Sequence, residues 1–193
     1  MRRRTALRAL GFFGFLGLTS GTYFGFKWNL FKNSVDLNSL DQYKPTLKSL
    51  VDLIIPETST PSASQSKVEE FVLLMIRDCA DKRTQINFLE GLKELSEKSI
   101  NEFGTNFERC TQKEKIQLFN HFYEEGKPLP GIIGKAKNKF VGLSFFTSLK
   151  KYTSIGYCTS KKGATQALAY VAIPTRHEPC VDLSKYPKSW ATE

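Results

Sequence analysis

The chain has 193 residues, of which 40% are hydrophobic and 24% are charged. This length and composition predict one globular domain with a core of its own. The formal net charge is +9, but residues 1–26 contain four arginines and no acidic residue, so the remainder carries +5. We expect those remaining charges to alternate with acids along solvated helix faces, which argues against nucleic-acid binding.

Residues 1–26 have the layout of a signal peptide or an uncleaved anchor. Three arginines at positions 2–4 precede an uncharged apolar run over 9–26, which is typical of a targeting segment. The run of 18 residues is close to the shortest that spans ~30 Å of hydrocarbon, so cleavage and anchoring both remain open. The start also resembles the twin-arginine export motif, and an ordinary Sec signal is the alternative. The residues that the export receptor reads are then Arg3, Arg4 and Leu7.

The polar residues 27–45 predict an extended linker, and residues 46–193 predict the folded domain. Apolar residues recur at helical spacing, and no segment shows sustained period-two alternation. We therefore expect an all-α domain of about six helices with an irregular C-terminal tail. Capping boxes begin two helices, because a hydroxyl and a carboxylate satisfy each other's free backbone amides. These pairs are Ser66 with Glu69 and Thr111 with Glu114. The predicted helices cover 47–55, 66–79, 82–103, 111–126, 135–152 and 163–170.

The sequence offers no catalytic constellation. His121 and His177 are its only histidines, and we expect His121 at a helix rim rather than in a metal site. There is no Cys-x-x-Cys pair, no haem-attachment motif and no dinucleotide-binding glycine pattern. The hydroxyls of residues 58–60 lie between prolines, which predicts a rigid turn rather than a nucleophile. We therefore predict no catalytic, cofactor-binding or metal-binding residue on this chain.

Two longer motifs lie at opposite ends of the domain. Residues 50–63 read LVDLIIPETSTPSA, and residues 156–171 read GYCTSKKGATQALAYV. Thr159 or Ser160 is expected to cap the short helix of the second motif, because a hydroxyl accepts from the free amides of a first turn. The tail that follows is polar, and something must pin it if it is ordered. The expected pins are Cys180 and Trp190.

Both motifs resemble the small subunit of gluconate 2-dehydrogenase-type complexes, which include membrane-bound flavin-dependent sugar dehydrogenases. The resemblance covers essentially the whole chain, although Ser59 and Ser62 replace the Asp and the Gly of the family pattern. It implies a non-catalytic subunit that supports folding, export and stability of a glucose-methanol-choline-type flavoprotein. That flavoprotein would carry FAD, and a cytochrome c subunit with haem c is a further partner in such complexes.

The resemblance also implies a location and a contact surface. Small subunits of this family carry the twin-arginine signal for their partner, which places the complex on the periplasmic side of the bacterial inner membrane. The second motif and the tail would then form the partner interface, and a self-packing helix corner is the alternative. The residues concerned are Gly156, Tyr157, Thr159, Ser160, Gly163, Ala164, Gln166, Tyr170 and Trp190.

Four cysteines exported to an oxidising compartment can pair in three ways. The family resemblance implies a disulfide between Cys79 and Cys180, with Cys110 and Cys158 as additions, and four free thiols are the alternative. Two other functions stay open beside the accessory subunit. One is a stand-alone membrane-tethered binding or scaffold protein without a flavoprotein, and the other is an independent enzyme.

Overall fold

The computed structural model describes residues 36–127, 130–173, 180, 182, 184 and 188–191. The chain divides into two units, residues 1–35 and residues 36–193, and the fold given below is that of the second unit. The predicted export signal with Arg3, Arg4 and Leu7 lies outside the described residues, as does His177.

The described residues are helical, as predicted. The α-helices are α1 (Lys44–Ile54), α2 (Val68–Leu74), α3 (Lys82–Phe103), α4 (Gln112–Gly126), α5 (Gly131–Val141) and α6 (Phe145–Thr159). Short 3-10 turns cover Leu37–Tyr43, Ser64–Ser66 and Phe107–Arg109, and π-helical turns cover Met75–Cys79 and Gly163–Ala167. No strand is present in these ranges, where the sheet-like pairing consists of one parallel bridge between Ala169 and Trp190. The all-α class is therefore confirmed.

Helix α6 lies at the centre of the bundle, because α1, α2, α3 and α4 all pack against it. Its Leu149 is fully buried. The surrounding helices and the π-helical turn Met75–Cys79 contribute apolar side chains with essentially no exposed surface, and burying each such side chain stabilises the fold by about 1.5–3 kcal/mol. Those side chains are Leu47, Leu50, Val51, Val72, Ile76, Phe88, Leu92, Leu95 and Leu118.

An aromatic layer joins α3, α4 and α6. The Phe145 ring lies 5.2 Å from the Phe88 ring and 5.7 Å from the Phe122 ring, measured between centroids. Gly91 makes this close approach possible, because a Cβ at that position would lie 2.4 Å from the Phe145 Cβ. A larger residue at position 91 would force α3 and α6 apart.

Helix α3 matches its predicted bounds of 82–103. Gly104 ends it in the left-handed conformation, with φ of +69°, and its backbone N–H donates to the Ile100 carbonyl at 2.8 Å. This is the geometry in which glycine is favoured after a helix. The residues predicted to point inward are buried, namely Phe88, Leu89, Leu92 and Leu95.

The predicted aromatic helix over 135–152 is wrong, because the chain breaks there into α5 and α6. Gly142 adopts φ of +83°, and Ser144 caps α6 by accepting from the Thr147 backbone N–H at 3.3 Å. Side chains of α3 satisfy the peptide groups freed by the break. Thr84 accepts from the Leu143 N–H at 3.0 Å, and the Asn87 amide donates to the carbonyls of Val141 and Leu143 at 2.9 and 3.0 Å.

One of the two predicted capping boxes forms. Thr111 accepts from the Glu114 N–H, and the Glu114 carboxylate accepts from the Thr111 N–H at 2.8 Å, so that prediction is confirmed. The prediction at Ser66 is wrong. Lys67 precedes α2 in the left-handed conformation, with φ of 56°, and the Glu69 side chain is buried instead of reaching back to the cap.

The folded unit begins earlier than the predicted residue 46. The 3-10 turn Leu37–Tyr43 belongs to it, since Leu40 is fully buried. The Asp36 side chain caps this turn by accepting from the Asn38 N–H. Among the described helices, none combines the length and the apolar character that crossing a membrane requires.

Candidate interaction surface

The second motif divides into a buried part and an exposed part. Gly156 packs against Phe71 of α2, and a Cβ on Gly156 would lie 2.6 Å from the Phe71 ring. Tyr157 is 6% exposed, and its hydroxyl donates to the Pro61 carbonyl at 2.7 Å. Gly163 is buried against the Tyr157 carbonyl. These three residues of the predicted interface therefore serve the chain's own core.

The contact between Tyr157 and Pro61 also joins the two sequence motifs, which lie 96 residues apart. The first motif is held by its own backbone, since the Ala63 N–H donates to the Ile55 carbonyl at 3.1 Å. Asp52 accepts from the Ser64 N–H at 2.8 Å. Residues 58–60 form the expected turn, in which the Thr58 N–H donates to the Thr60 carbonyl. The two motifs thus build one corner of the domain.

Ser160 makes the hydrogen bonds that join the end of α6 to the π-helical turn Gly163–Ala167. Its hydroxyl donates to the Tyr157 carbonyl at 2.7 Å and accepts from the Gly163 N–H at 3.0 Å. The Ala164 N–H donates to the Ser160 carbonyl at 2.8 Å. Of the two expected caps, Ser160 is therefore the residue that acts, while the Thr159 hydroxyl donates back to Ile155 within α6.

The exposed part of the motif meets the C-terminal tail. The Ala169 N–H donates to the Ser189 carbonyl, and the Ala191 N–H donates to the Ala169 carbonyl, both at 2.8 Å. Lys188 adds a bond from its ammonium group to the Gln166 carbonyl at 2.6 Å. These bonds hold the tail through the backbone on either side of Trp190 and through Lys188, while the indole is 48% exposed. Cys180, the other expected pin, is an exposed free thiol.

We call this exposed surface the tail corner. Its members all have exposed side chains next to the Ala169–Trp190 bridge or next to the π-helical turn. They are Lys161, Lys162, Gln166, Tyr170, Val171, Lys188 and Trp190.

All four cysteines are free thiols in this structure. Cys110 is buried, where its sulfur lies 3.2 Å from the Ser99 hydroxyl and donates to the Asn106 carbonyl at 3.6 Å. Cys79, Cys158 and Cys180 are exposed. The disulfide between Cys79 and Cys180 is thus not formed here, and the pairing stays a prediction. Cys79 is near Tyr152. Burial is the main cause that raises the pKa of Tyr152 above its usual value, and the neighbouring Cys79 and Asp81 raise it further.

His121 lies at the rim between α3 and α4, as predicted. With Glu94 and Glu125 it forms a group whose possible ligand atoms all lie within 4.8 Å of one another. The Lys98 ammonium group, however, is 2.9 Å from His121 Nε2 and 3.6 Å from Glu102. A positive side chain therefore already occupies this cluster, and we interpret it as a polar network between two helices. Sequence periodicity predicted the rim position and not these partners.

The described fold is thus a small helical domain. Its two distant sequence motifs pack together at one corner, and the C-terminal tail is hydrogen-bonded to the exposed surface there. Residues 41–174 match the family model described as gluconate 2-dehydrogenase subunit 3. The chain belongs to the gluconate 2-dehydrogenase subunit 3 family. Neither a curated protein nor a solved structure matched the chain.

Proposed function

We propose that the chain is the non-catalytic small subunit of a flavin-dependent sugar or sugar-acid dehydrogenase complex. The observation that carries this proposal is the family match, which spans α1 to α6 and both motifs. The partner would be a glucose-methanol-choline-type flavoprotein that holds FAD, and a cytochrome c subunit with haem c could accept its electrons. The complex would work on the periplasmic side of the inner membrane.

The tail corner is the surface that we propose for the flavoprotein. Its apolar residues are exposed, with Tyr170 at 48%, Val171 at 41% and Trp190 at 48%. Exposed aromatic side chains of this size are frequent anchors in protein interfaces. A stable pair needs about 1,600 Å² of buried surface in total, so the corner would form the centre of a larger contact.

Affinity purification from the producing organism tests this function. The full chain, tagged at a terminus, is extracted from membranes, and the bound chains are identified by mass spectrometry and by flavin absorbance. We expect a flavoprotein in a stoichiometric amount. Purification of the chain without a flavoprotein would overturn the proposal and would favour the stand-alone membrane-tethered scaffold.

We further propose that the chain takes its partner across the membrane through the twin-arginine route. Replacing Arg3 and Arg4 with lysine keeps the charge but removes the planar guanidinium groups that the receptor would read. Both this chain and the flavoprotein should then remain in the cytoplasm, as measured by cell fractionation. Arg2 is replaced as well in a stricter variant. A flavoprotein that still reaches the periplasm would refute the escort role.

A further inference from the structure

The charges of the domain are divided along the sequence. Residues 36–125 contain sixteen acidic and eleven basic residues, whereas residues 126–177 contain nine basic residues and no acidic one. The expected alternation of charges therefore holds only in the first of these segments. The nine basic residues are Lys127, Lys135, Lys137, Lys139, Lys150, Lys151, Lys161, Lys162 and Arg176.

Four of these lysines lie on α6 or just after it, in the part of the sequence that enters the tail corner. Lys150 and Lys151 lie on the exposed face of α6, and Lys161 and Lys162 are exposed just after it. None of the four forms an ion pair with an acidic side chain in the part of the chain that the structure describes. Lys188 of the tail also lies at this surface, because its ammonium group donates to the Gln166 carbonyl. Lys150, Lys151, Lys161 and Lys162 thus have no acidic neighbour in sequence, whereas the tail that carries Lys188 also contains Glu178, Asp182 and Glu193.

The backbone at the corner also has free hydrogen-bonding groups. Ala169 pairs with the tail, but the peptide groups of Tyr170 and Val171 form no backbone hydrogen bond within the described ranges. Ile173, two residues further on, is 76% exposed. Another protein can pair with such exposed backbone by adding hydrogen bonds along it.

We infer that the tail corner binds an acidic surface of the flavoprotein subunit. The inference rests on the proposed function and adds the chemistry of the contact. Tyr170, Val171 and Trp190 supply the apolar centre, and Lys161, Lys162 and Lys188 supply a basic rim. Rim charges of this kind mainly accelerate association and make it depend on salt.

The test compares two charge variants in binding to the purified flavoprotein. The first replaces Lys161, Lys162 and Lys188 with glutamine. The control replaces Lys48, Lys93 and Lys113, which are exposed elsewhere, and therefore removes the same charge. We expect the first variant to associate about tenfold more slowly at low salt and to lose most of its salt dependence, with the control close to wild type. Kinetics are measured by biolayer interferometry.

A second variant separates charge from tail position. Lys188 bonds to Gln166, so its replacement could release the tail. The double variant Lys161→Gln, Lys162→Gln leaves that bond intact and should still slow association several-fold. Circular dichroism checks that each variant keeps the helical content of the wild type.

The outcomes distinguish the two proposals. A wild-type chain that does not bind the flavoprotein overturns the proposed function and this inference together. Wild-type binding that is slowed equally by all the variants, or by none, overturns the inference and leaves the function standing. An added arm uses phosphatidylglycerol vesicles. If only vesicle binding responds to the tail-corner lysines, the surface faces lipid and the inference is wrong.

Discussion

Replacing Tyr157 with phenylalanine tests the buried hydrogen bond that joins the two sequence motifs. The substitution keeps the ring and removes only the hydroxyl, which donates to the Pro61 carbonyl at 2.7 Å. Both residues are buried, so water cannot replace the lost donor easily. We therefore expect a loss of stability of the isolated chain.

The size of that loss follows from the geometry of the contact. A typical net hydrogen bond contributes about 0.5–1.5 kcal/mol, and a buried carbonyl left without a partner costs about 1–3 kcal/mol. The expected decrease in the free energy of unfolding is thus about 1–3 kcal/mol. For a domain of this size, each kcal/mol lowers Tm by about 2–4 °C.

Urea and thermal unfolding of the purified chain, followed by circular dichroism, measure this decrease. The matched control is Tyr170→Phe, which removes the same hydroxyl from a residue that is 48% exposed, and we expect a change within about 0.5 kcal/mol. If Tyr157→Phe were as stable as this control, the hydrogen bond to Pro61 would be refuted as a stabilising contact.

Three further predictions concern stability and covalent structure. Thr111→Ala should lower stability by about 1 kcal/mol because it removes a cap, whereas Ser66→Ala should have little effect; equal losses in urea unfolding would contradict the helix starts described above. Thr153→Val should leave stability unchanged or raise it by up to about 1 kcal/mol, because the Thr153 hydroxyl is buried without a hydrogen-bond partner in the described residues; a clear loss in the same assay would mean that the hydroxyl has a partner. Peptide mapping of the exported chain without reduction should find Cys79 linked to Cys180 with Cys110 still a thiol, and a free Cys79 would disprove the pairing.

Local signals in the sequence predicted α3 and the start of α4 well. Gly104 and the pair Thr111 and Glu114 act within a few residues of themselves, so no tertiary partner is needed to place the boundary. Ser66 carried the same kind of pattern, yet Lys67 takes the left-handed conformation and Glu69 turns into the core. The sequence pattern alone does not show that the Glu69 side chain is buried.

The break between α5 and α6 was missed because its causes are distant in sequence. Gly142 sits within an apolar run, and the side chains that stabilise the break, Thr84 and Asn87, lie on α3. The burial of two residues of the predicted interface likewise depends on residues that are distant in sequence. Gly156 and Tyr157 belong to a motif that the sequence marks as special, but only the positions of Phe71 and Pro61 reveal that they are buried.

The most direct test of the accessory role separates the chain from its complex. The purified complex is dissociated, and each chain is assayed for flavin absorbance and for sugar oxidation with an artificial electron acceptor. We expect flavin and activity both to remain with the larger chain and the small subunit to have neither. A stoichiometric flavin spectrum or sugar oxidation by the isolated small subunit would contradict it.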